Sequence, residues 1–228
     1  MDWRIGQHTF SAPGASWCTK LIFLTLVSAS AAWGQAPVPS NVRDCRPCTF
    51  SPGAKIPTYS FTFELKTAGR ERSVQAIEVV NQSSKTAQRL PVTGMEPVGQ
   101  EDDFFFGGVD INFDGLSDLM LITRRGVANA YAAYWLFDPK ASAFTSFGTY
   151  PVFRVDSSKK RLMSYERGGS AGMIYESKEF AFVDGKLTLM REEKQDATKQ
   201  PGVFRKVVRE RAGGVMKVVK TETVQAQK

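Results

Sequence analysis

The sequence predicts an all-β domain of about nine to eleven strands, joined mostly by hairpins and antiparallel in their pairing. Apolar and polar residues alternate in short runs, as over residues 59–66, which is typical of a half-buried strand. Several runs are separated by two or three turn residues that include glycine, at 184–185 and 212–214. No segment has the longer apolar period of an amphipathic helix. Alternation leaves two architectures open, a partial β-propeller and a sandwich.

The first element is a leader, residues 1–34. Lys20 is followed by LIFLTLVSASAA, an apolar stretch of signal-peptide length that ends in small residues and is too short to span a bilayer. We expect cleavage after Gly34 and export to a periplasmic compartment without stable membrane insertion. The only histidine, His8, lies in the leader. The exported part therefore lacks a Ser-His-Asp or Cys-His mechanism and a histidine-ligated zinc site.

Residues 35–57 are rich in Pro, Ser and Gly, without an apolar period, and predict an extended lead segment. Cys45 and Cys48 lie there in RDCRPC and could close a local disulfide in an oxidising compartment. So short a ring removes little unfolded-state entropy. A redox CxxC normally opens a helix in a βαβ unit, so we favour a local staple over a redox centre.

Residues 58–228 are predicted to form one domain. Asp184-Gly185 is a two-residue turn of the type that requires positive φ. Segments on both sides of residues 110–118 also have the composition of strands. These two segments are FFFGGV at 104–109 and LMLIT at 119–123, and the other strands are expected at 59–65, 73–80, 131–137, 143–147, 180–183, 186–190, 203–211 and 215–224.

The most specific local motif is DxNxDGxxD at residues 110–118. Alternating oxygen ligands converge where the chain turns sharply, and Gly115 supplies the turn. This pattern predicts a structural calcium loop, the alternative being an acidic β-turn without metal. An EF-hand fits poorly because its twelfth position needs glutamate and here is Leu121. The predicted ligands are Asp110, Asn112, Asp114, the Leu116 carbonyl and Asp118.

A second motif is the glycine-rich SYERGGSAGMIY at residues 164–175. It is a weak phosphate cradle, because it lacks the Lys-Ser/Thr ending and a following helix. A protruding finger fits better, since glycines allow close backbone approach and Tyr and Arg often anchor interfaces. The alternative is a plain hairpin loop. The predicted partner-binding residues are Arg167, Gly168, Gly169, Ser170, Gly172 and Tyr175.

Together with the leader, the segments DINFDGLSDLML, YWLFDPKASAF, RGGSAGMIY and FAFVDGKLTL carry a family resemblance over roughly residues 58–190. The chain resembles the periplasmic immunity proteins that protect bacteria against peptidoglycan-hydrolysing effectors of type IV secretion systems. Its calcium loop is similar to those of FG-GAP or VCBS-type repeats in β-propeller proteins. GMIY is similar to the SGxxY motif of periplasmic lysozyme inhibitors, except that Ala171 precedes Gly172 and the serine, Ser170, stands one place earlier.

The resemblance implies a calcium-binding, β-propeller-like inhibitor whose partner is a lysozyme-like glycoside hydrolase. Such enzymes hold two carboxyl groups in a cleft shaped for sugar. Tyr175 and Ser170 would hydrogen-bond those groups, Arg167 would neutralise charge, and the glycines would give clearance. The alternative is a calcium-stabilised, non-catalytic binding or scaffolding module of the envelope, with contacts through the basic residues 186–228.

An enzyme and a nucleic-acid-binding protein are the classes that the sequence disfavours. Glu101, Asp102, Asp103 and Glu176 could supply a carboxylate pair, but none lies in a recognisable catalytic context. We therefore assign no catalytic residue. The net charge of +7 comes without a block of consecutive basic residues, which gives little support for nucleic acid as a partner.

Overall fold

The computed structural model describes residues 40–226, so the predicted leader, its cleavage site and the start of the lead segment lie outside the described residues. Within this range the fold is all-β, with one 3₁₀ turn at Ser170–Gly172. No helix among the described residues is long and apolar enough to cross a membrane. The sixteen strands of residues 40–226 are β1 (Ser40–Val42), β2 (Cys48–Phe50), β3 (Tyr59–Ala68), β4 (Glu71–Asn81), β5 (Ala87–Pro91), β6 (Val98–Gly99), β7 (Phe104–Val109), β8 (Asp118–Arg125), β9 (Ala130–Asp138), β10 (Ala143–Pro151), β11 (Arg154–Asp156), β12 (Arg161–Arg167), β13 (Tyr175–Val183), β14 (Lys186–Ala197), β15 (Val203–Ala212) and β16 (Val215–Gln225).

The strands form three antiparallel sheets. The first sheet has the order β2-β3-β4-β5, with β6 paired to β4. The central sheet has the order β1-β7-β8-β9-β10, and the C-terminal sheet runs β11 to β16 in sequence order. Asp184 and Gly185 have φ of 50° and 72°, so the predicted two-residue hairpin between β13 and β14 is confirmed.

The central sheet lies between the other two, because its strands contribute to a separate core on each face. Successive side chains of a strand point to opposite faces. Leu121 and Trp135 pack with residues of the first sheet such as Phe61. Met120 and Tyr134 pack with residues of the C-terminal sheet, including Phe153 and Leu162. The predicted all-β class is confirmed. A sandwich has two packed sheets, whereas here three sheets pack on one another with a core on each face of the central one.

The lead segment is more structured than its composition predicts. Its described part contains β1, which pairs with β7, and β2, which pairs with β3. Cys45 is fully buried, and its carbonyl accepts a hydrogen bond of 3.1 Å from the Phe63 amide. Cys45 and Cys48 lie at disulfide distance, with Cα atoms 5.0 Å apart, as expected for a local staple. Strands of three residues are too short to show a period in the sequence.

The C-terminal sheet extends beyond the core as long, largely exposed strands. On β16, Val215, Val218 and Val219 are each more than half exposed. This strand forms one edge of the sheet and also carries Lys217 and Lys220. Lysines on an edge strand oppose pairing with another chain. The hairpin of β15 and β16 therefore has, at β16, the composition of a sheet edge that is protected against pairing with another chain.

Candidate functional site

The glycine-rich loop joins β12 to β13 and turns tightly at its tip. The Gly168 amide donates to the Ile174 carbonyl at 2.7 Å, and the Met173 amide donates to the Ser170 carbonyl at 3.0 Å. Ser170, Ala171 and Gly172 have φ of 55°, 52° and 86°. Two consecutive non-glycine residues in the left-handed region are uncommon and store backbone strain. The loop therefore holds a defined, strained turn.

Gly168 is required inside the loop itself. A Cβ atom at this position would lie 2.7 Å from Ile174 Cγ2 and 3.2 Å from the Ile174 carbonyl oxygen. At Gly169 the corresponding contact, to Ile174 Cδ1, is 3.9 Å, which is ordinary van der Waals distance. Gly168 and Gly169, two of the three glycines predicted to give clearance for a partner, thus differ, because a Cβ atom fits at Gly169 but not at Gly168. The third, Gly172, has a φ of 86°, a conformation that favours glycine.

Two side chains that the sequence analysis did not identify hold the base of the loop. Asn129 Nδ2 donates to the Arg167 carbonyl at 2.9 Å, and the Arg167 amide donates to Asn129 Oδ1 at 2.7 Å. The side-chain amide of Asn129 thus makes the two backbone hydrogen bonds that a neighbouring strand would make with Arg167 at the end of β12. Gln195 is buried, and its Nε2 donates to the Met173 carbonyl at 2.7 Å. Neither residue belongs to a motif, so no sequence signal marks them.

Tyr175 lies at the base of the loop and its hydroxyl is already bound. It donates to Glu193 Oε1 at 2.7 Å, and its ring stacks on that of Tyr165 with centroids 5.4 Å apart. Arg191 donates to the other carboxylate oxygen of Glu193 at 2.9 Å. Burial, together with the bond to Glu193, raises the pKa of Tyr175, and the same bond lowers the pKa of Glu193.

The exposed tip offers one cation and one hydroxyl. Arg167, Gly168, Gly169 and Ser170 are exposed, whereas Gly172 and Tyr175 are half-buried. Within residues 40–226, no acidic side chain forms an ion pair with Arg167 and no hydrogen bond engages the Ser170 hydroxyl. The six predicted partner-binding residues are thus in one loop, but they divide between its tip and its base.

The predicted calcium loop folds around its own hydrogen bonds. Asp110 accepts the amides of Phe113 at 2.7 Å and Gly115 at 3.0 Å. Asp114 accepts the Leu116 amide at 2.8 Å. Gly115 has a φ of 85°, in agreement with the predicted sharp turn. Burial, followed by the nearby carboxylate of Asp114, raises the pKa of Asp110.

Asp118 connects this loop to the core. It is fully buried, and its two carboxylate oxygens accept the amides of Ile111 at 3.0 Å and Phe137 at 2.9 Å. Burial raises the pKa of Asp118 to about 7. The residue therefore joins the loop to β9, a role that does not require a metal.

The donor chemistry of the loop suits a hard cation. Asp110, Asn112 and Asp114 carry carboxylate or amide oxygens on one turn, and such oxygens are the ligands that calcium prefers. Across the described range, no group of three His, Cys, Asp or Glu side chains is placed to hold a metal ion. Calcium binding by this loop, with ligation by Asp118 and the Leu116 carbonyl, stays a prediction.

Comparison with known proteins adds a likeness of fold. No family model matches the chain, and no curated protein matches it. Among solved structures, the chain is similar to a Xanthomonas Type IV Secretion System related protein, with a TM-score of 0.55 and 15% sequence identity. The match covers 80% of this chain and 98% of that one. At this identity the two chains share a fold, and the likeness carries no assignment of residues.

Proposed function

We propose that this protein is an exported, calcium-binding inhibitor of a peptidoglycan hydrolase that acts as an immunity protein. Its glycine-rich loop would enter the active-site cleft of a lysozyme-like glycoside hydrolase. The observation that carries this proposal is the loop tip, which stands on a hydrogen-bonded base. Among residues 40–226, Arg167 has no ion-pair partner and the Ser170 hydroxyl makes no hydrogen bond. The fold that this chain shares with a Type IV Secretion System related protein also supports the proposal.

The tip has the chemistry needed to block a pair of carboxyl groups. Arg167 would form charge-assisted hydrogen bonds with one carboxylate, and Ser170 would hydrogen-bond the other. Because the base is already ordered by Asn129 and Gln195, little conformational entropy is lost when the loop binds. Tyr175 would act mainly by positioning, since contact with the enzyme would require its hydroxyl to leave Glu193.

Calcium has a structural role in this proposal. Asp110, Asn112 and Asp114 would hold the ion, which would offset the repulsion between carboxylates on one short turn. Asp118 anchors the same turn to β9 through the Phe137 amide. A bound ion would therefore stiffen a corner of the central sheet, and the inhibitory contacts would be made by other residues.

A turbidity assay of peptidoglycan lysis tests the proposal directly. The panel contains lysozymes and secreted glycoside hydrolases, including those encoded by neighbouring genes, with and without the protein in calcium. We expect stoichiometric inhibition of one enzyme. Arg167→Ala should weaken that inhibition about tenfold or more, because a charge-assisted contact is lost. Arg70→Ala is the matched control, since Arg70 is an exposed arginine in the turn between β3 and β4.

Two results would contradict the proposal in different ways. Absence of inhibition across the panel would favour the calcium-stabilised envelope module. Lysis of peptidoglycan by the purified protein alone would favour an enzyme, and the inhibitor assignment would then be wrong.

A further inference from the structure

The loop alone offers little surface for a stable complex. It comprises residues 167–175, whereas a stable interface takes about 20 to 30 residues and roughly 800 Å² from each partner. An inhibitor that acts through this loop therefore needs further contact area beside it. The solvent-facing side of the C-terminal sheet adjoins the loop and offers such an area.

This side of the sheet contains an open groove of about 450 Å³. We call it the Tyr165 groove. Arg154 of β11 reaches Met163 of β12, with its guanidinium nitrogen 3.5 Å from the Met163 sulfur. Its lining includes Val152, Arg154, Met163, Tyr165, Glu179 and Arg191.

The Tyr165 groove is continuous with the base of the loop. Tyr165 is paired with Ser177 and Arg167 is paired with Tyr175, and residues two apart on a strand share a face. Tyr165 is 49% exposed although its ring stacks on Tyr175. Tyrosine and arginine are enriched among the residues that contribute most of the binding energy at protein interfaces.

The charges of this face favour an acidic partner. Arg161 and Arg191 are compensated by Glu179 at 3.0 Å and Glu193 at 2.9 Å. Arg154, by contrast, forms no ion pair within the described part of the chain, as is also true of Arg167. Two uncompensated cations thus lie along one surface that leads to the loop tip.

We propose that the Tyr165 groove is a second contact area for the same hydrolase. Tyr165 packs against the lip of the cleft while Arg154 pairs with a carboxylate on that lip. This inference rests on the proposed function, because the partner is the enzyme that the loop inhibits. The groove sets affinity and specificity, and the loop blocks the active site.

The test measures binding of the purified protein to each hydrolase of the panel by titration calorimetry. Tyr165→Ala should weaken binding by about 30-fold, as expected for an aromatic anchor, and Arg154→Ala by about fivefold to tenfold. Arg154→Glu should weaken it further. Arg205→Ala is the matched control, because Arg205 lies on the opposite face of the same sheet, next to Lys206, and should change binding less than about twofold. Thermal unfolding confirms that each variant is folded.

The outcomes separate the groove from the loop. If Arg167→Ala abolishes binding while the Tyr165 and Arg154 variants bind like the wild type, the groove proposal is overturned and the loop function stands. The reverse result supports the groove and refutes loop insertion. If the wild type binds no hydrolase, both proposals are wrong. If it instead sediments with isolated peptidoglycan and Tyr165→Ala does not, the groove binds glycan and the protein occupant is overturned.

Discussion

The hydroxyl of Tyr175 should stabilise the fold through Glu193, and Tyr175→Phe removes that bond alone. A hydrogen bond to a charged group contributes about 1.5 to 3 kcal/mol when buried. The Glu193 side chain is 20% exposed and Tyr175 is half-buried, so solvent screening reduces the expected loss to about 1 kcal/mol. This corresponds to a Tm lower by about 2 to 4 °C in a chain of this size. Urea and thermal unfolding at pH 7 measure it.

The pH dependence of this loss follows from the direction of the pKa shift. The bond from Tyr175, followed by that from Arg191, lowers the pKa of Glu193 from its ordinary 4.5. A carboxyl group with a lowered folded-state pKa contributes its full stability above the unfolded value and loses it as pH falls through the folded value. The difference between wild type and Tyr175→Phe should therefore be constant near neutrality and shrink below pH 4.5.

Tyr165→Phe is the matched control for this experiment. Tyr165 stacks on Tyr175, but its hydroxyl makes no hydrogen bond with the described residues. We expect Tyr165→Phe to cost less than about 0.5 kcal/mol at any pH. Equal losses for the two variants at pH 7 would refute the reasoning, as would a Tyr175→Phe loss that persists unchanged to pH 3. In the lysis assay Tyr175→Phe should weaken inhibition by about fivefold at most if the residue only positions the loop.

Three further predictions concern the core, the predicted calcium loop and the turn between β8 and β9. Tyr134→Phe should cost about 1 to 2 kcal/mol in urea unfolding because it leaves the buried Phe153 amide without its acceptor, whereas Tyr150→Phe should cost under about 0.5 kcal/mol. Calcium should raise the Tm of the wild type but not of Asp110→Ala, and an equal response of both would exclude this loop as the site. Val127 is fully exposed in the turn that Asn129 ties to the loop, so Val127→Asp should leave the Tm unchanged and lower inhibition of an acidic hydrolase.

Much of the fold could be predicted because its strands carry strong local signals. Tyr59, Phe61 and Phe63 alternate with polar residues, and all three are buried in the core beneath the first sheet. Asp184-Gly185 needs positive φ and has it. Sixteen strands are present in residues 40–226 where about nine to eleven were predicted. The short strands β1, β2, β5, β6 and β11 escaped prediction because two to five residues hardly define a period, and β12 because its residues are mixed in polarity.

Neither the order of the three sheets nor the hydrogen bond of Tyr175 could be predicted from periodicity. Alternation shows that a strand has two faces, but β8 and β9 are buried on both, with Leu121 in one core and Met120 in the other. The sequence places Tyr175 next to the glycines, yet its hydroxyl is bound to Glu193, which lies on the adjacent strand β14. Contacts of this kind depend on register and have no local signature.

The loop tip is strained, and side chains outside the loop hold it in that conformation. Ser170 and Ala171 occupy the left-handed region, which an isolated peptide would leave readily. Two side chains hold this conformation. Asn129, in the turn between β8 and β9, fixes the chain before the loop turn, and Gln195, on β14, fixes it after the turn. The loop is therefore ordered when the protein folds, and the proposed insertion into a hydrolase would use a tip that already has its conformation. Asn129→Ala should therefore weaken inhibition in the lysis assay, because the chain before the turn is no longer fixed. The free energy of unfolding should change little, because the two hydrogen bonds of Asn129 lie at an exposed edge.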